Sequence, residues 1–356
     1  MKKYATVVII LILVILAHIF FIKPLISEKT EKKAEAPASS VTQPVKNDAS
    51  TPAKKEPVRK LFKHPSKNPL FGKFYDYRKA VWDDKLPVPG SKQAQSGILV
   101  DLDTHMVLWA KEPRQGRPIA SMTKMMTLLL AFEAMDKRDD LDLDTPVKVT
   151  SKAAGMGGSQ VYLDVRETHP FGELLKAMAI KSANDCACLV GEYISGGNLP
   201  EFIAAMNRRA YKLRMASTDF VNPHGLPDRN KKDSTSSPEG MAVLAEHLLQ
   251  YPLLIKWTST IHEYFRPKGS KGCQFLTNTN HKLLKQCSGV NGLKTGYTKA
   301  AGFCVTATCL RGSRHLVAVV TGFKSQRNRT AFVKRLLDWG YRRSASLKTP
   351  SNSANK

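Results

Sequence analysis

Ser121 and Lys124, three residues apart in Ser121-Met122-Thr123-Lys124, are the first residues in this chain whose types and spacing could do chemistry. A serine hydroxyl is a poor nucleophile near neutral pH and needs an adjacent base. On a helix, positions i and i+3 share a face, so Lys124 can reach the Ser121 hydroxyl. A serine at the helix N-terminus also lies beside free backbone N–H groups and the positive end of the dipole, where negative charge can develop. Lysine becomes a base once its pKa is lowered, and a second cation close by lowers it. Alone the spacing is weak, because roughly one chance match is expected in a chain of this length. A second match, Ser353-Ala354-Asn355-Lys356, stands in the tail.

Two further groups follow in order. In Ser182-Ala183-Asn184 a hydroxyl can relay a proton toward a leaving amine, and a carboxamide can hold a peptide backbone; the same residues also make an ordinary helix cap. In Lys294-Thr295-Gly296 a cation and a hydroxyl suit a carboxylate, and glycine lets a ligand approach the backbone of an edge strand. A glycine turn before a strand would read the same way.

The elements that must position these groups are legible from periodicity. Ser96 to Asp103 and His105 to Ala110 read as two strands joined by a short turn. Ser121 to Met135 reads as an apolar helix. Residues 171–180, 185–194, 201–213 and 238–250 carry the 3.6-residue pattern of further helices. Residues 302–311 and 314–323 are β-rich and joined by Gly312-Ser313, which predicts a hairpin. A last helix is expected from Asn328 to Trp339, with Gly340 as its C′ residue. Strands at both ends with helices between them predict an α+β layer structure.

The chain has 356 residues and a formal net charge of +25. That excess leaves nucleic acid, an anionic membrane surface or an acidic polymer as partner classes. The 42% hydrophobic content excludes disorder throughout. Lys2 and Lys3 precede an almost wholly apolar run from Tyr4 to Ile22, about 28 Å of helix at 1.5 Å per residue. Such a run fits an uncleaved membrane anchor better than a cleaved signal, because the nearest Ala-x-Ala lies far beyond it. The expected organisation is an anchor or signal over 1–26, a flexible charged linker over 27–69, a catalytic domain over 70–341 and a loose tail over 342–356. The catalytic domain is expected outside the cytoplasm, held on the cytoplasmic membrane, or secreted if the signal is cleaved. Cys273 and Cys287 bracket a hairpin region and are candidates to pair. Cys304 and Cys309 are too far apart along one strand to do so, and Cys186 and Cys188 read as buried small hydrophobes. No HExxH and no CxxC pair occurs, so no metal or cofactor is expected.

The order S-x-x-K, S-x-N, K-T-G is the motif set of the penicillin-recognising serine enzymes. The surrounding words, residues 118–127, Lys181-Ser182-Ala183-Asn184-Asp185, residues 220–226 and residues 290–298, resemble the D-alanyl-D-alanine carboxypeptidases, the low-molecular-mass penicillin-binding proteins. The resemblance runs from about Tyr75 to Tyr341. It implies an antiparallel sheet packed between helices beside an all-helical lobe, with the active site between them. It implies Ser121 as acyl-enzyme nucleophile, Lys124 as its base and Ser182 as proton relay. Asn184 would bind the substrate backbone, and Lys294 would lower the Lys124 pKa and orient Ser182. Thr295 and Arg329 would hold the terminal carboxylate beside Gly296, and the backbone N–H groups of Ser121 and Tyr297 would form the oxyanion hole. The implied partners are peptidoglycan stem peptides ending in D-Ala-D-Ala, with β-lactams as inhibitors.

The expected activity is removal of the terminal D-alanine. A DD-endopeptidase cutting cross-links with the same residues is the nearest alternative, and a non-catalytic penicillin-binding sensor is another. A class A β-lactamase would need a Glu-x-x-Leu-Asn stretch between Ser182 and Lys294, which is missing. The absence of any nucleic-acid motif argues against a nucleic-acid binder. Two departures from the family stand out. The family's C-terminal β-domain and amphipathic helix are not expected, and its usual Leu-Gly-Met is here Leu213-Arg214-Met215.

Overall fold

The computed structural model describes residues 62–346. Strands β1 (Val81–Trp82), β2 (Ser96–Asp101), β3 (Met106–Lys111), β4 (Val290–Thr298), β5 (Gly302–Arg311) and β6 (Arg314–Phe323) form one sheet in the order β1-β3-β2-β6-β5-β4. All pairs are antiparallel except the two-residue pairing of β1 with β3, which is parallel. The sheet is therefore antiparallel, as expected, apart from that short edge. The Gly312-Ser313 turn closes the β5–β6 hairpin with Arg311 opposite Arg314.

Both sheet faces are covered, which is why all six β2 residues are buried. Side chains alternate across a strand. Ile98, Val100, Val317 and Val319 face helices α1 (Lys124–Lys137) and α5 (Pro238–Leu248). Leu99, Leu316, Ala318 and Val320 face helix α6 (Gln326–Ala345), where Trp109 meets Phe332 edge-on. The first face continues into helices α2 (Phe171–Ile180), α3 (Asn184–Ile194) and α4 (Leu199–Lys212), whose apolar sides join the same core. This lobe is not all-helical: Pro146–Lys148 pairs with Thr168–Pro170 as a two-stranded ribbon.

Helix α6 runs beyond its expected end. Gly340 does not cap it; a Cβ there would lie 2.5 Å from Leu99, so glycine lets the helix settle onto the sheet. The last turn is fixed by a polar cluster. The Arg314 guanidinium donates to the buried Asp101 carboxylate (2.7 Å) and to the Ser344 carbonyl (2.9 Å), and the Ser344 hydroxyl also donates to Asp101. At the other end Phe62 is buried against Phe132, and the His64 N–H donates to the Gln250 carbonyl (2.7 Å). The boundaries expected at 70 and 341 thus fall within packed structure. The expected anchor over 1–26 lies outside the described residues, as does most of the linker and tail. Among the described residues no helix is long and apolar enough to cross a membrane.

The missing glycine after α4 has a structural counterpart. Arg214 takes the left-handed conformation (φ 57°), and the Met215 and Arg214 N–H groups donate to the Ala210 and Tyr211 carbonyls. That is a helix-ending turn in which glycine is normally favoured, because a Cβ costs about 1 kcal/mol at positive φ. Arg214→Gly should raise the melting temperature by roughly 1–4 °C, a gain trimmed by the extra freedom of the unfolded chain. Calorimetry of the two proteins checks this, with unchanged activity expected.

Candidate active site

Ser121 does not open an α-helix. It lies in a 3-10 turn, Ala120–Thr123, and α1 begins at Lys124. In a 3-10 turn residues i and i+3 eclipse, which brings the pair together more directly than an α-helix would. Lys124 Nζ is 3.1 Å from Ser121 Oγ. Ala120, just before the serine, is left-handed (φ 47°), and its carbonyl accepts from the Thr123 hydroxyl (2.7 Å). Gly225 packs on that same carbonyl, where a Cβ would come within 2.0 Å.

Lys124 is wholly buried, and its amine also reaches Asn184 Oδ1 (2.6 Å) and the His224 carbonyl (2.6 Å). A neutral amine has two N–H donors and one lone pair. The two short contacts use the donors, which leaves the lone pair for the Ser121 hydroxyl. Burial first, and the Lys294 charge second, push the Lys124 pKa well below its ordinary value of 10.5. Lys294 is itself held down to about 7 by burial and by the Arg329 guanidinium. Burial brings Arg329 down to about 10. His224 is kept neutral, its pKa lowered to about 3 by burial and by Lys124, and its role is structural: the ring accepts the Leu226 N–H (3.2 Å).

Ser121, Ser182, Thr295, Gly296, Tyr297 and Arg329 line one cavity of about 440 Å³. Ser182 sits on the turn between α2 and α3 in the left-handed region (φ 66°), buried apart from this opening. Lys294-Thr295-Gly296 is part of strand β4 at the edge of the sheet, not a turn before a strand. A Cβ at Gly296 would lie 2.4 Å from the Ile119 carbonyl, so glycine is what lets β4 run against the serine turn. The Thr295 hydroxyl donates to Thr279 (2.8 Å), and Lys294 Nζ donates to the Thr295 carbonyl (2.9 Å). Arg329, in the first turn of α6, donates to the Cys304 carbonyl (3.1 Å). Tyr297 is exposed and stacked on Phe303.

Asn184 touches the base directly. Both ends of its carboxamide are engaged, Oδ1 by Lys124 and Nδ2 by the Gly157 carbonyl (2.7 Å), so here it holds the base in place. Ser159 and Thr279 belong to the cavity, and neither stood out in the sequence. Thr279 lies in Thr277-Asn278-Thr279-Asn280, which reads as loop; its only signal was polarity next to a buried Asn. The candidate Cys273–Cys287 pairing is not formed. All the described cysteines are free: Cys273 is in the loop before Gln274–Thr277, whereas Cys287 packs into the core beneath α6.

The profile of the D-alanyl-D-alanine carboxypeptidase family, peptidase S11, matches residues 84–325. The D-alanyl-D-alanine carboxypeptidase DacF of Bacillus subtilis is 39% identical over 262 residues, covering 74% of this chain and 66% of that protein. The chain thus spans just under two thirds of that relative. The D-alanyl-D-alanine endopeptidase of Escherichia coli is 30% identical over 247 residues, covering 68% of this chain and 76% of its own length. Among solved structures, penicillin-binding protein D2 of Listeria monocytogenes in its ampicillin-bound form superposes with a TM-score of 0.62 at 27% identity, over 70% of this chain and 98% of that one.

The lysine geometry predicts a pH profile. A base whose pKa is depressed becomes competent as pH rises through the lowered value, so acylation of Ser121 by a fluorescent penicillin should reach its plateau well below pH 10, near which an unperturbed lysine titrates. Lys124→Arg should abolish labelling, because guanidinium keeps its proton throughout this range. Lys294→Arg should slow it less. The labelling rate against pH for the three proteins checks both points.

Proposed function

Since the chain belongs to the peptidase S11 family of D-alanyl-D-alanine carboxypeptidases, we propose that it is a serine D-Ala-D-Ala carboxypeptidase that removes the terminal D-alanine from peptidoglycan stem pentapeptides. The observation that carries this reading is buried Lys124 in contact with Ser121 Oγ, at a cavity that Thr295 and Arg329 also line. The substrate adds along the open edge of β4, with its terminal carboxylate toward Thr295 and the positive charge of Lys294 and Arg329. Lys124 takes the Ser121 proton as Oγ attacks the carbonyl of the penultimate D-alanine. The developing oxyanion is met by the backbone N–H groups of Ser121 and Tyr297, a role supported by the close approach of Gly296 to the serine turn. Ser182 passes a proton to the leaving amine of the last D-alanine. Water then attacks the acyl-enzyme with Lys124 again as base, and the proton returns to Ser121. Asn184 and the His224 carbonyl keep the Lys124 amine aimed throughout.

A β-lactam carbonyl mimics the scissile peptide, so penicillin should acylate Ser121 and leave slowly, no Glu-x-x-Leu-Asn stretch being present to speed deacylation. Mass spectrometry of the intact protein should show one bound penicillin, and Ser121→Ala should show none. The E. coli endopeptidase relative keeps a second reading open, cleavage of peptide cross-links by the same residues. Incubation with a stem pentapeptide and with a cross-linked muropeptide separates the two; faster release of D-alanine from the pentapeptide is the expected outcome.

The apolar run Tyr4–Ile22 supports a further part of the proposal: residues 1–26 tether the enzyme to the cytoplasmic membrane with the catalytic domain on the outer side. N-terminal sequencing of membrane-bound protein should begin at the first residues of the chain. A mature start between Ala17 and Pro37 would replace tethering by secretion.

A further inference from the structure

We infer that Cys287 and Cys309 form a built-in dithiol that closes to a disulfide, pinning the chain just before β4 to the neighbouring strand β5. The two cysteines are 22 residues apart in sequence, but the fold brings them together. Cys287 ends the short helix His281–Gln286, and Val290, three residues on, is opposite Cys309 in the β4–β5 ladder. The two neighbouring thiols titrate as a pair, which lowers Cys309 and pushes Cys287 up. Both address the same small cluster. Cys309 Sγ lies 3.5 Å from the Ser288 carbonyl, Arg311 Nε donates to that carbonyl (2.9 Å), and the Arg311 guanidinium lies 3.4 Å from Cys287 Sγ. Backbone bonds hold both sides of the pair: Leu310 N–H to the Gly289 carbonyl, Val290 N–H to Cys287, and the Tyr341 hydroxyl to the Cys309 carbonyl. No other described cysteine pair shares such a set of contacts: Cys304 Sγ turns instead to the Ala301 carbonyl (3.2 Å), at the far end of β5.

Both sulfurs are buried in the folded domain, so closure belongs to the folding chain, while the thiols are still reachable. The oxidant is a low-molecular-mass disulfide. The Cys309 thiolate attacks one of its sulfurs and releases one thiol. Cys287 then attacks the Cys309 sulfur of the mixed disulfide, forming the Cys287–Cys309 bond and releasing the second thiol. Two protein thiols are oxidised, one small disulfide is reduced to two thiols, and the protein's two protons leave with them.

The test uses the full chain, fully reduced in denaturant with detergent and then refolded in a mixture of reduced and oxidised glutathione. Remaining thiols are alkylated and the protein is digested with trypsin. The expected product is a linked pair of peptides, residues 286–294 and residues 300–311, in wild type and equally in Cys304→Ser. The oxidised form should melt several degrees above the reduced one, and Cys287→Ala should show no such redox dependence. Alkylation of all six cysteines after refolding would overturn the proposal. So would a linked pair that survives Cys309→Ser, or a wild-type melting point unchanged by reductant.

Discussion

The structure turns on one constraint: a lysine must be buried with no carboxylate to neutralise it directly and still be held beside a serine. Each of the three groups around Lys124 Nζ comes from a different part of the chain, Ser121 from the 3-10 turn, Asn184 from the start of α3, and the His224 carbonyl from a Pro-His-Gly turn. None is an anion. Desolvation therefore dominates at the amine, the nearby Lys294 charge adds to it, and the Asp185 carboxylate, which makes no contact with the amine, offsets only part of it. A lysine that made an ion pair here would be stable but useless as a base.

This arrangement costs stability, and the sign can be worked out. An unfolded lysine holds its proton up to about pH 10.4, whereas folded Lys124 and Lys294 release theirs lower down, Lys294 at about 7. Between the folded and unfolded values the unfolded chain binds protons that the native one does not, so stability rises with pH across that window and the cost is fully present below it. The surrounding apolar packing offsets it. Met122, Met125 and Met126 around the serine turn are buried, as are Ala183 just before α3 and Ala187 on it. The strained Ala120 is a second cost of the same kind, held by the Thr123 hydroxyl and by a glycine that alone leaves room for its carbonyl.

Much of this was legible in the residues. The periodicity of residues 171–180 and the Gly312-Ser313 turn placed α2, β5 and β6 at the observed bounds, because these segments carry both their pattern and their punctuation locally. Gly340 misled for a physical reason: the same absence of a side chain serves a helix end and a helix lying close on a sheet, and only the tertiary contact with Leu99 distinguishes them. Ser121, Lys124 and Lys294 could be named from motif order, but the double engagement of Asn184 could not. It depends on the Gly157 carbonyl, which lies 27 residues away in the sequence and carries no side-chain signal. Thr279 was hidden in the same way, since what makes it part of the site is a hydroxyl contact across two segments.

Strand β4 ends the sheet, and an unpaired strand edge is a template for any other extended chain, including another protein's edge. Here most of that edge is shielded. The helix Pro252–Ser259 packs along its first residues, where the Thr258 hydroxyl donates to the Asn291 carbonyl (2.9 Å), and the serine turn covers Gly296. Only Tyr297, near the end of the strand, is largely exposed. The accessible stretch is long enough for the tip of a short peptide and too short to seed the pairing of one folded sheet with another. The same cover that shapes the cavity thus acts as a gatekeeper against self-assembly, letting the protein keep an open strand edge without the aggregation hazard that such an edge carries.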